Sequence, residues 1–522
     1  MLEQMLDSTP NTEKDRRMCA LFLGIDNGGT NIKASLYDAG GNELASAGTT
    51  SDTRIEIPGF IEQDMEALWQ KNCQVIKAVI ASANIPASSI KGIAVTGHGN
   101  GLYAIDGEGN PIGNGILSAD SRSNAIVDGY YASGVAGSIS AISCQDVWAG
   151  QPPAILTWLK RHDRRRYDAI AWILMCKDYI RYRLTGEVWA ERTDYSGTNF
   201  IDPHTGDYDD RLLDLFDLSD CKDKLPPIKA STDLCGRVSR HASRASGLKE
   251  GTAVFGGMFD IDANAIGMGI VAEHLDCIIA GTWSINQCIT EKAPGAGSPY
   301  RCTNYCMPGH WLITESSPTS ASNLDWFIRQ LLKGAPADGS PYPYCDQLVA
   351  TVDPQESDVL FLPFLYGSNV TRSASAAFLG LSGWHSSAHV IAALYEGVVF
   401  SHRMHLDRLR RDYPRVDHTR LSGGAARSSV WVQLFADILA RPIELLEHEE
   451  VGTLGAAMAA AVGSGQFSNF EQASAKMVRV RRTIQPQMGL TGVFEKKYAH
   501  YCRAVETLQA IWEPQATGGP AG

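Results

Sequence analysis

The sequence predicts an α/β fold in two domains, the second repeating the grammar of the first. Three observations carry this. Leu23-Gly24-Ile25-Asp26-Asn27-Gly28-Gly29-Thr30-Asn31-Ile32-Lys33 reads as an apolar strand, a small-residue turn and a second strand, and Ile278-Ile279-Ala280-Gly281-Thr282-Trp283-Ser284-Ile285-Asn286 repeats that pattern far downstream. Strand patterns alternate with helical ones in both halves. At 522 residues the chain also exceeds what one hydrophobic core usually supports.

The elements follow in order. Residues 1–18 read as a disordered leader. From Ala20 to about Gly48 two alternating strands flank the first turn, with Ala39-Gly40-Gly41-Asn42 as a hairpin. Met65 to Ala83 has helical periodicity, and Gly92 to Thr96 is a short buried strand. Ala154–His162 and Cys176–Thr185 read as helices, the second stopped by Gly186. A strand from Thr252 to Gly257 leads into a small-residue helix at about Asp262–Gly269. The division falls there: a first domain over 19–262, a second over 263–512, and a frayed tail over 513–522. The second half continues with a strand at Val359–Pro363, a helix at Ala388–Leu409, Gly423-Gly424 opening a helix through Ala440, and an Ala-rich helix from Leu454 to Gly463.

Composition narrows the function classes. The net charge is −12 with no long Lys/Arg block, so neither nucleic acid nor a membrane surface is an expected partner. The start, Met1 to Arg17, is polar and charged with no apolar core of signal-peptide length, and no apolar run approaches membrane-spanning length. The 12 cysteines are scattered, several in apolar runs (Cys19, Cys176, Cys277), which reads as reduced thiols in a cytoplasmic protein. Cys302 and Cys306 lack a second pair at zinc spacing.

The two Gly-Thr turns suit phosphate. Glycine lets backbone approach an anion closely, and successive N–H groups with hydroxyls form an anion-binding concavity. Asp26 beside such a nest repels phosphate unless a cation lies between, and Mg²⁺ commonly uses one carboxylate with waters and phosphate oxygens. Asp26 is therefore assigned to metal-bound water and Thr30 and Lys33 to phosphate oxygens. A plain Asp-Asn-Gly-Gly hairpin is the other reading, and the second turn tips the balance. Phosphoryl transfer to an alcohol needs a base on the hydroxyl proton. Asp260, closing Gly256-Gly257-Met258-Phe259-Asp260 at a strand end, fits that task, with Asp262 as cap or support. Gly423-Gly424-Ala425 would let an adenine or ribose lie against backbone, or is a simple tight turn. Asp120 and Arg122 could bind sugar hydroxyls or pair with each other. Trp148 could wall a sugar or sit in the core. Gly97-x-Gly99-x-Gly101 lacks a dinucleotide fingerprint's third glycine, and no Gly-Lys-Ser/Thr is present for a Walker loop.

Two long stretches resemble the signatures of the FGGY carbohydrate kinases, within the actin-like ATPase superfamily. Gly150-Gln151-Pro152-Pro153-Ala154-Ile155-Leu156-Thr157-Trp158-Leu159-Lys160-Arg161-His162 is similar to the first, with Ile155 in place of the usual lysine. Ala376-Ala377-Phe378-Leu379-Gly380-Leu381, continuing to His389-Val390-Ile391-Ala392-Ala393-Leu394-Tyr395-Glu396, is similar to the second. Gly59-Phe60-Ile61-Glu62-Gln63-Asp64 and Lys177-Asp178-Tyr179 also fit, and the likeness spans about Leu21 to Leu508.

The resemblance implies two ribonuclease-H-like domains flanking a cleft, ATP and Mg²⁺ as cofactors, a small sugar as substrate and a possible homodimer. It implies Asp260 as catalytic base. It assigns Asp26, Gly28, Gly29 and Thr30 to the first phosphate motif, Gly281, Thr282 and Ser284 to the second, and Gly423, Gly424 and Ala425 to adenosine. His98, Asn100, Asp120, Arg122, Trp148 and Asp260 fall on the sugar side, with Ser118 where the family carries tryptophan. Phe361-Leu362-Pro363-Phe364-Leu365-Tyr366-Gly367-Ser368-Asn369, Ser316-Ser317-Pro318-Thr319-Ser320 and Glu396-Gly397-Val398-Val399-Phe400-Ser401-His402 look like the L-xylulose kinase branch, which also takes 3-keto-L-gulonate. Asn100, a neutral amide where that branch has lysine, points to a ketopentose before an acidic sugar, with erythritol or another polyol open. An ATP-gated chaperone- or filament-like protein on the same fold is the non-enzyme alternative.

Overall fold

The computed structural model describes residues 20–295, 300–332, 340–368, 373–413 and 416–512. The expected leader, the 513–522 tail, Cys19 and Asn369 lie outside the described residues. Contacts gather the chain into two units. The first takes the chain up to Val271, with Glu291–Leu312 and Glu450–Arg479; the second takes Ala272–Thr290, Ile313–Glu449 and the chain from Val480 on. The boundary read from sequence, 262/263, falls inside the helix Asp260–Gly267, which lies whole in the first unit.

The first unit is built on strands β1 (Leu21–Asn27), β2 (Asn31–Asp38), β3 (Glu43–Thr50), β4 (Ile90–Gly97), β5 (Leu234–Arg237), β6 (Ala253–Phe255) and β7 (Met258–Phe259), in sheet order β5-β6-β4-β1-β2-β3, with β7 also pairing β4. β1, β2 and β3 are antiparallel neighbours, while β4 runs parallel to β1 and to β6. The helix Met65–Ala83 covers one face of the sheet. Asp64 caps it by accepting from Ala67 N–H, and Asn84 stops it in the left-handed region at φ 51°. Its apolar stripe buries Leu68, Trp69, Cys73, Ile76 and Val79 against Leu23, Ile25 and Leu36 of the sheet. Each such side chain contributes roughly 1.5–3 kcal/mol.

The Ala-rich helix Val451–Gly463 is buried almost on every side, the mark of a helix inside a core rather than on it. It belongs to the first unit. A Cβ on Gly24 of β1 would lie 1.9 Å from the Thr453 carbonyl oxygen, and one on Gly455 would lie 2.0 Å from that of Ala263. A Cβ on Gly267 would lie 1.9 Å from the Val451 carbonyl oxygen. These glycines let this helix press on β1 and on the Asp260–Gly267 helix at backbone distance.

The second unit repeats the plan with β8 (Leu275–Ala280), β9 (Ser284–Thr290), β10 (Trp311–Ser317), β11 (His418–Ser422), β12 (Ile443–Leu446) and β13 (Val480–Ile484), in order β10-β9-β8-β11-β12-β13. As in the first unit, the opening hairpin is antiparallel, the next two pairings parallel and the last antiparallel. The helix Ser387–Asp412 is the longest here. Gly424–Arg427 is a short 3₁₀ turn, and the helix expected to start at Gly423-Gly424 begins at Ser429 and ends at Leu439. None of the described helices is long and apolar enough to cross a membrane.

Candidate active site

In the first unit the Asp26–Thr30 turn joins β1 to β2. Gly29 and Thr30 are exposed, and nothing lies within 4 Å of where a Gly29 Cβ would be, so the turn's tip is open to a ligand. Asp26 is the opposite: its Oδ1 is sealed from solvent and meets no donor among the described residues. Burial, with a smaller push from Glu450 and against the pull of Lys33, raises its carboxyl to about 6. A carboxylate in that condition fits a cation or a cation's water. Lys33 stands cross-strand from Asp26, but its Nζ lies 2.7 Å from both oxygens of Glu450. The structure thus engages in an ion pair the amine that sequence reading assigned to phosphate.

Asp260 opens the helix Asp260–Gly267 directly after β7; the sequence pattern had begun that helix two residues later. Burial, then the negative charge of Asp26, push its carboxyl up to about 8, with the Ile261 amide and Arg301 pulling the other way. Asp262 is buried outright in the first turn, and burial, with the charges of Glu191 and Asp194, pushes its carboxyl well above the usual carboxylate range; its side chain is not the cap of this helix. Behind them Lys177 Nζ lies 2.7 Å from Asp178, 3.5 Å from Glu191 and 3.6 Å from Asp194, all without solvent exposure. Thr193 Oγ1 donates to Glu191 at 2.8 Å and accepts from Phe259 N–H at 2.9 Å, which fixes the backbone one residue before Asp260.

On the sugar side the assigned residues divide. Asp120 and Arg122 pair through Nε at 2.9 Å and Nη2 at 2.8 Å, and Asp120 also accepts from Ile61 N–H at 2.7 Å. Arg122 adds Glu62 at 2.8 Å and packs 4.1 Å over the Phe60 ring. This pair therefore spends its hydrogen-bonding capacity largely on the protein itself. His98 Nε2 meets the Tyr103 hydroxyl at 3.0 Å, and burial lowers the ring to about 4, so it is neutral at physiological pH. Asn100 takes the left-handed conformation at φ 62°, and its buried Oδ1 has no partner among the described residues. Gln145 Oε1 and Trp148 Nε1 are likewise buried without one among those residues. Unsatisfied polar atoms of this kind are costly in a finished core and suit a hydroxylated ligand.

Arg301 is a residue that sequence reading missed. It lies on the strand Arg301–Asn304, which is anchored beside Gln145 by Cys302 N–H to the Cys144 carbonyl at 3.0 Å. Its guanidinium is 6.0 Å from the Trp148 ring centre and feels the charges of Asp146 and Asp260. No motif flags it; only the fold brings it there.

In the second unit Gly281–Trp283 forms the tip between β8 and β9, with no atom within 4 Å of a Gly281 Cβ and Trp283 53% exposed. Gly423 is at φ 94°, and a Cβ there would lie 2.7 Å from the Ala280 carbonyl. The structure so places Gly423-Gly424-Ala425 against the root of this turn. Ser284 is buried at the start of β9. Among the described residues no group of three His, Cys, Asp or Glu side chains could hold a metal, and the described cysteines form no disulfide.

Comparison with known proteins agrees in kind. The N-terminal domain model of the FGGY family of carbohydrate kinases matches residues 21–267, and the C-terminal domain model residues 277–464. The chain is 36% identical to the L-xylulose/3-keto-L-gulonate kinase of Escherichia coli K12, over 95% of this chain and 98% of that protein. It is also 36% identical to a probable L-xylulose kinase of Pasteurella multocida, over 94% and 99%. The crystal structure of xylulose kinase from Rhodospirillum rubrum is similar with a TM-score of 0.86 at 26% identity, covering 94% of this chain and 99% of that one.

Proposed function

The chain belongs to the FGGY family of carbohydrate kinases, a sugar kinase with ATP as phosphate donor, and from that premise we propose that it phosphorylates a terminal hydroxyl of a ketopentose such as L-xylulose, with Asp260 as general base. The observation that supports this most is Asp260 itself: a carboxyl at a helix start, held in place by the Thr193–Phe259 contact and lifted by burial and Asp26 to about 8. A base matched to neutral pH takes a hydroxyl proton more readily than an ordinary carboxylate.

The sugar's terminal O–H gives its proton to an Asp260 oxygen. The freed oxygen attacks the γ-phosphorus, the bond to the β-phosphate oxygen breaks, and ADP leaves. The donor's phosphates are assigned to Gly28, Gly29 and Thr30 and to Gly281, Thr282 and Ser284, and its adenosine to Gly423, Gly424 and Ala425. Asp26 would hold Mg²⁺ through water, and the ion would neutralise charge building on the phosphate oxygens. His98, Asn100, Gln145 and Trp148 line the hydroxyl-bearing substrate, and the Asp120–Arg122 pair braces the loop. The setting we assign is the cytoplasm, where ATP is available and the buried thiols stay reduced.

A second substrate class has one observation in its favour. Arg301, a guanidinium near Trp148 that forms no ion pair among the described residues, suits a sugar carboxylate such as that of 3-keto-L-gulonate. ADP release measured with L-xylulose, L-ribulose, D-xylulose, erythritol and 3-keto-L-gulonate decides. The largest kcat/KM should fall on a ketopentose; preference for the keto acid, lost in Arg301→Met, selects the second reading. ADP release that no sugar accelerates would sink both.

A further inference from the structure

We propose that His402 is a positioning residue that fixes the Ser284 hydroxyl as a hydrogen donor to the phosphates of ATP. The inference rests on the reading of Gly281–Ser284 as a phosphate turn.

The argument starts from a group that can only accept. Asn286 Nδ2 lies 3.3 Å from the backbone carbonyl of Glu315, so the amide nitrogen must face that way. Its Oδ1 then faces His402 Nδ1 at 2.8 Å. An amide oxygen accepts only, so Nδ1 carries the proton. His402 is fully buried, and burial together with neighbouring His405 keeps the ring neutral. A neutral imidazole has one N–H. Its Nε2 is therefore bare and accepts from the Ser320 hydroxyl at 2.8 Å.

The consequence appears at Ser284. Its Oγ lies 3.1 Å from His402 Nδ1 and 3.2 Å from Asn286 Nδ2. Nδ1 carries one hydrogen, shared between Asn286 Oδ1 at the shorter distance and Ser284 Oγ at the longer, and it keeps no lone pair; Asn286 Nδ2 likewise only donates, so Oγ is an acceptor toward both. Its own hydrogen is left for an acceptor that these residues do not supply. Phosphate oxygens are acceptors, and Ser284 pairs with Ala280 at the root of the hairpin whose tip is Gly281–Trp283.

The same ring ties down the strap beneath that tip. Ser320 N–H donates to Thr282 carbonyl at 3.1 Å, Ala321 N–H to Gly281 carbonyl at 2.9 Å, and Ser322 Oγ to Thr282 carbonyl at 3.0 Å. His402, on the helix Ser387–Asp412, thus joins strand β9 to the segment that sets the turn's shape.

Two measurements test this. In ¹⁵N-histidine NMR of the whole enzyme, with and without a non-hydrolysable ATP analogue, His402 should show the Nδ1–H tautomer; the Nε2–H tautomer overturns the proposal. In kinetics, Ser284→Ala should raise the KM for ATP about tenfold or more with the sugar KM unchanged. His402→Phe should do the same, the double variant should be no worse than Ser284→Ala alone, and His402→Asn, which keeps a donor toward Asn286, should recover most of the loss. If Ser284→Ala is impaired while His402→Phe has the native ATP KM, or if the two losses multiply, the role given to His402 is wrong and the phosphate turn stands. If Ser284→Ala itself leaves the ATP KM unmoved, the phosphate-turn reading fails and takes this inference with it. Should His402→Phe not fold, the tautomer and His402→Asn decide.

Discussion

Asp260 shows how environment rather than residue type makes a candidate base. An exposed aspartate is a poor base at neutral pH; burial and the Asp26 charge bring this one to about 8. The sign follows. A raised carboxyl holds its proton at low pH, so the kcat/KM for sugar should fall as pH drops through about 8 and level off above it, in a pH–rate profile of the free enzyme. Asp260→Asn should lower kcat by roughly 10²–10⁴ while calorimetry shows unaltered ATP binding. Near-native turnover in that variant would move the base to Asp262. The candidate base was legible from Gly256 to Asp260 because a strand end rich in glycine followed by an acid is a local pattern. Arg301 and His402 were not, because their partners lie far away in the chain.

At the scale of elements, the placement of Asp260 depends on how closely two helices cross. Gly267 and Gly455 allow the Asp260–Gly267 and Val451–Gly463 helices to meet backbone to backbone. Gly455→Ala would put a Cβ 2.0 Å from the Ala263 carbonyl, so one helix must shift. Overpacking of this kind costs about 1–3 kcal/mol. The thermal midpoint should drop and kcat should fall with it, since the moved helix carries the proposed base; a variant with native stability and rate would show that the crossing yields without consequence. Element types were readable from period and punctuation, as with Met65–Ala83, whose bounds agree in sequence and structure. The helix after Gly423-Gly424 was misplaced because a 3₁₀ turn comes first.

At the scale of the molecule, the chain returns to its first unit after building most of its second. Residues Val451 to Ala461 are buried there, against β1 and β4. A fragment ending at Val271 would expose that face of the sheet. It should fail to give a dispersed amide NMR spectrum, whereas the same fragment with Glu450–Arg479 added in trans should gain structure. A well-folded 1–271 fragment would show that the returning helix is dispensable. Addition of ATP should also raise the whole enzyme's thermal midpoint, by mass action on the folded state.

The sequence by itself determined the α/β class, the duplicated strand–turn–strand plan and the kinase family, because these reside in local periodicity, glycine punctuation and contiguous motifs. Only the tertiary structure decided that Lys33 is held by Glu450, that Arg122 is spent on Asp120 and Glu62, that Arg301 reaches Trp148, and that the Val451–Gly463 helix belongs with β1. Each of these joins residues that are not neighbours in the local pattern, or chooses among partners that the pattern leaves open. The physical reason is that burial and charge pairing are set by which surfaces meet when the chain folds back on itself.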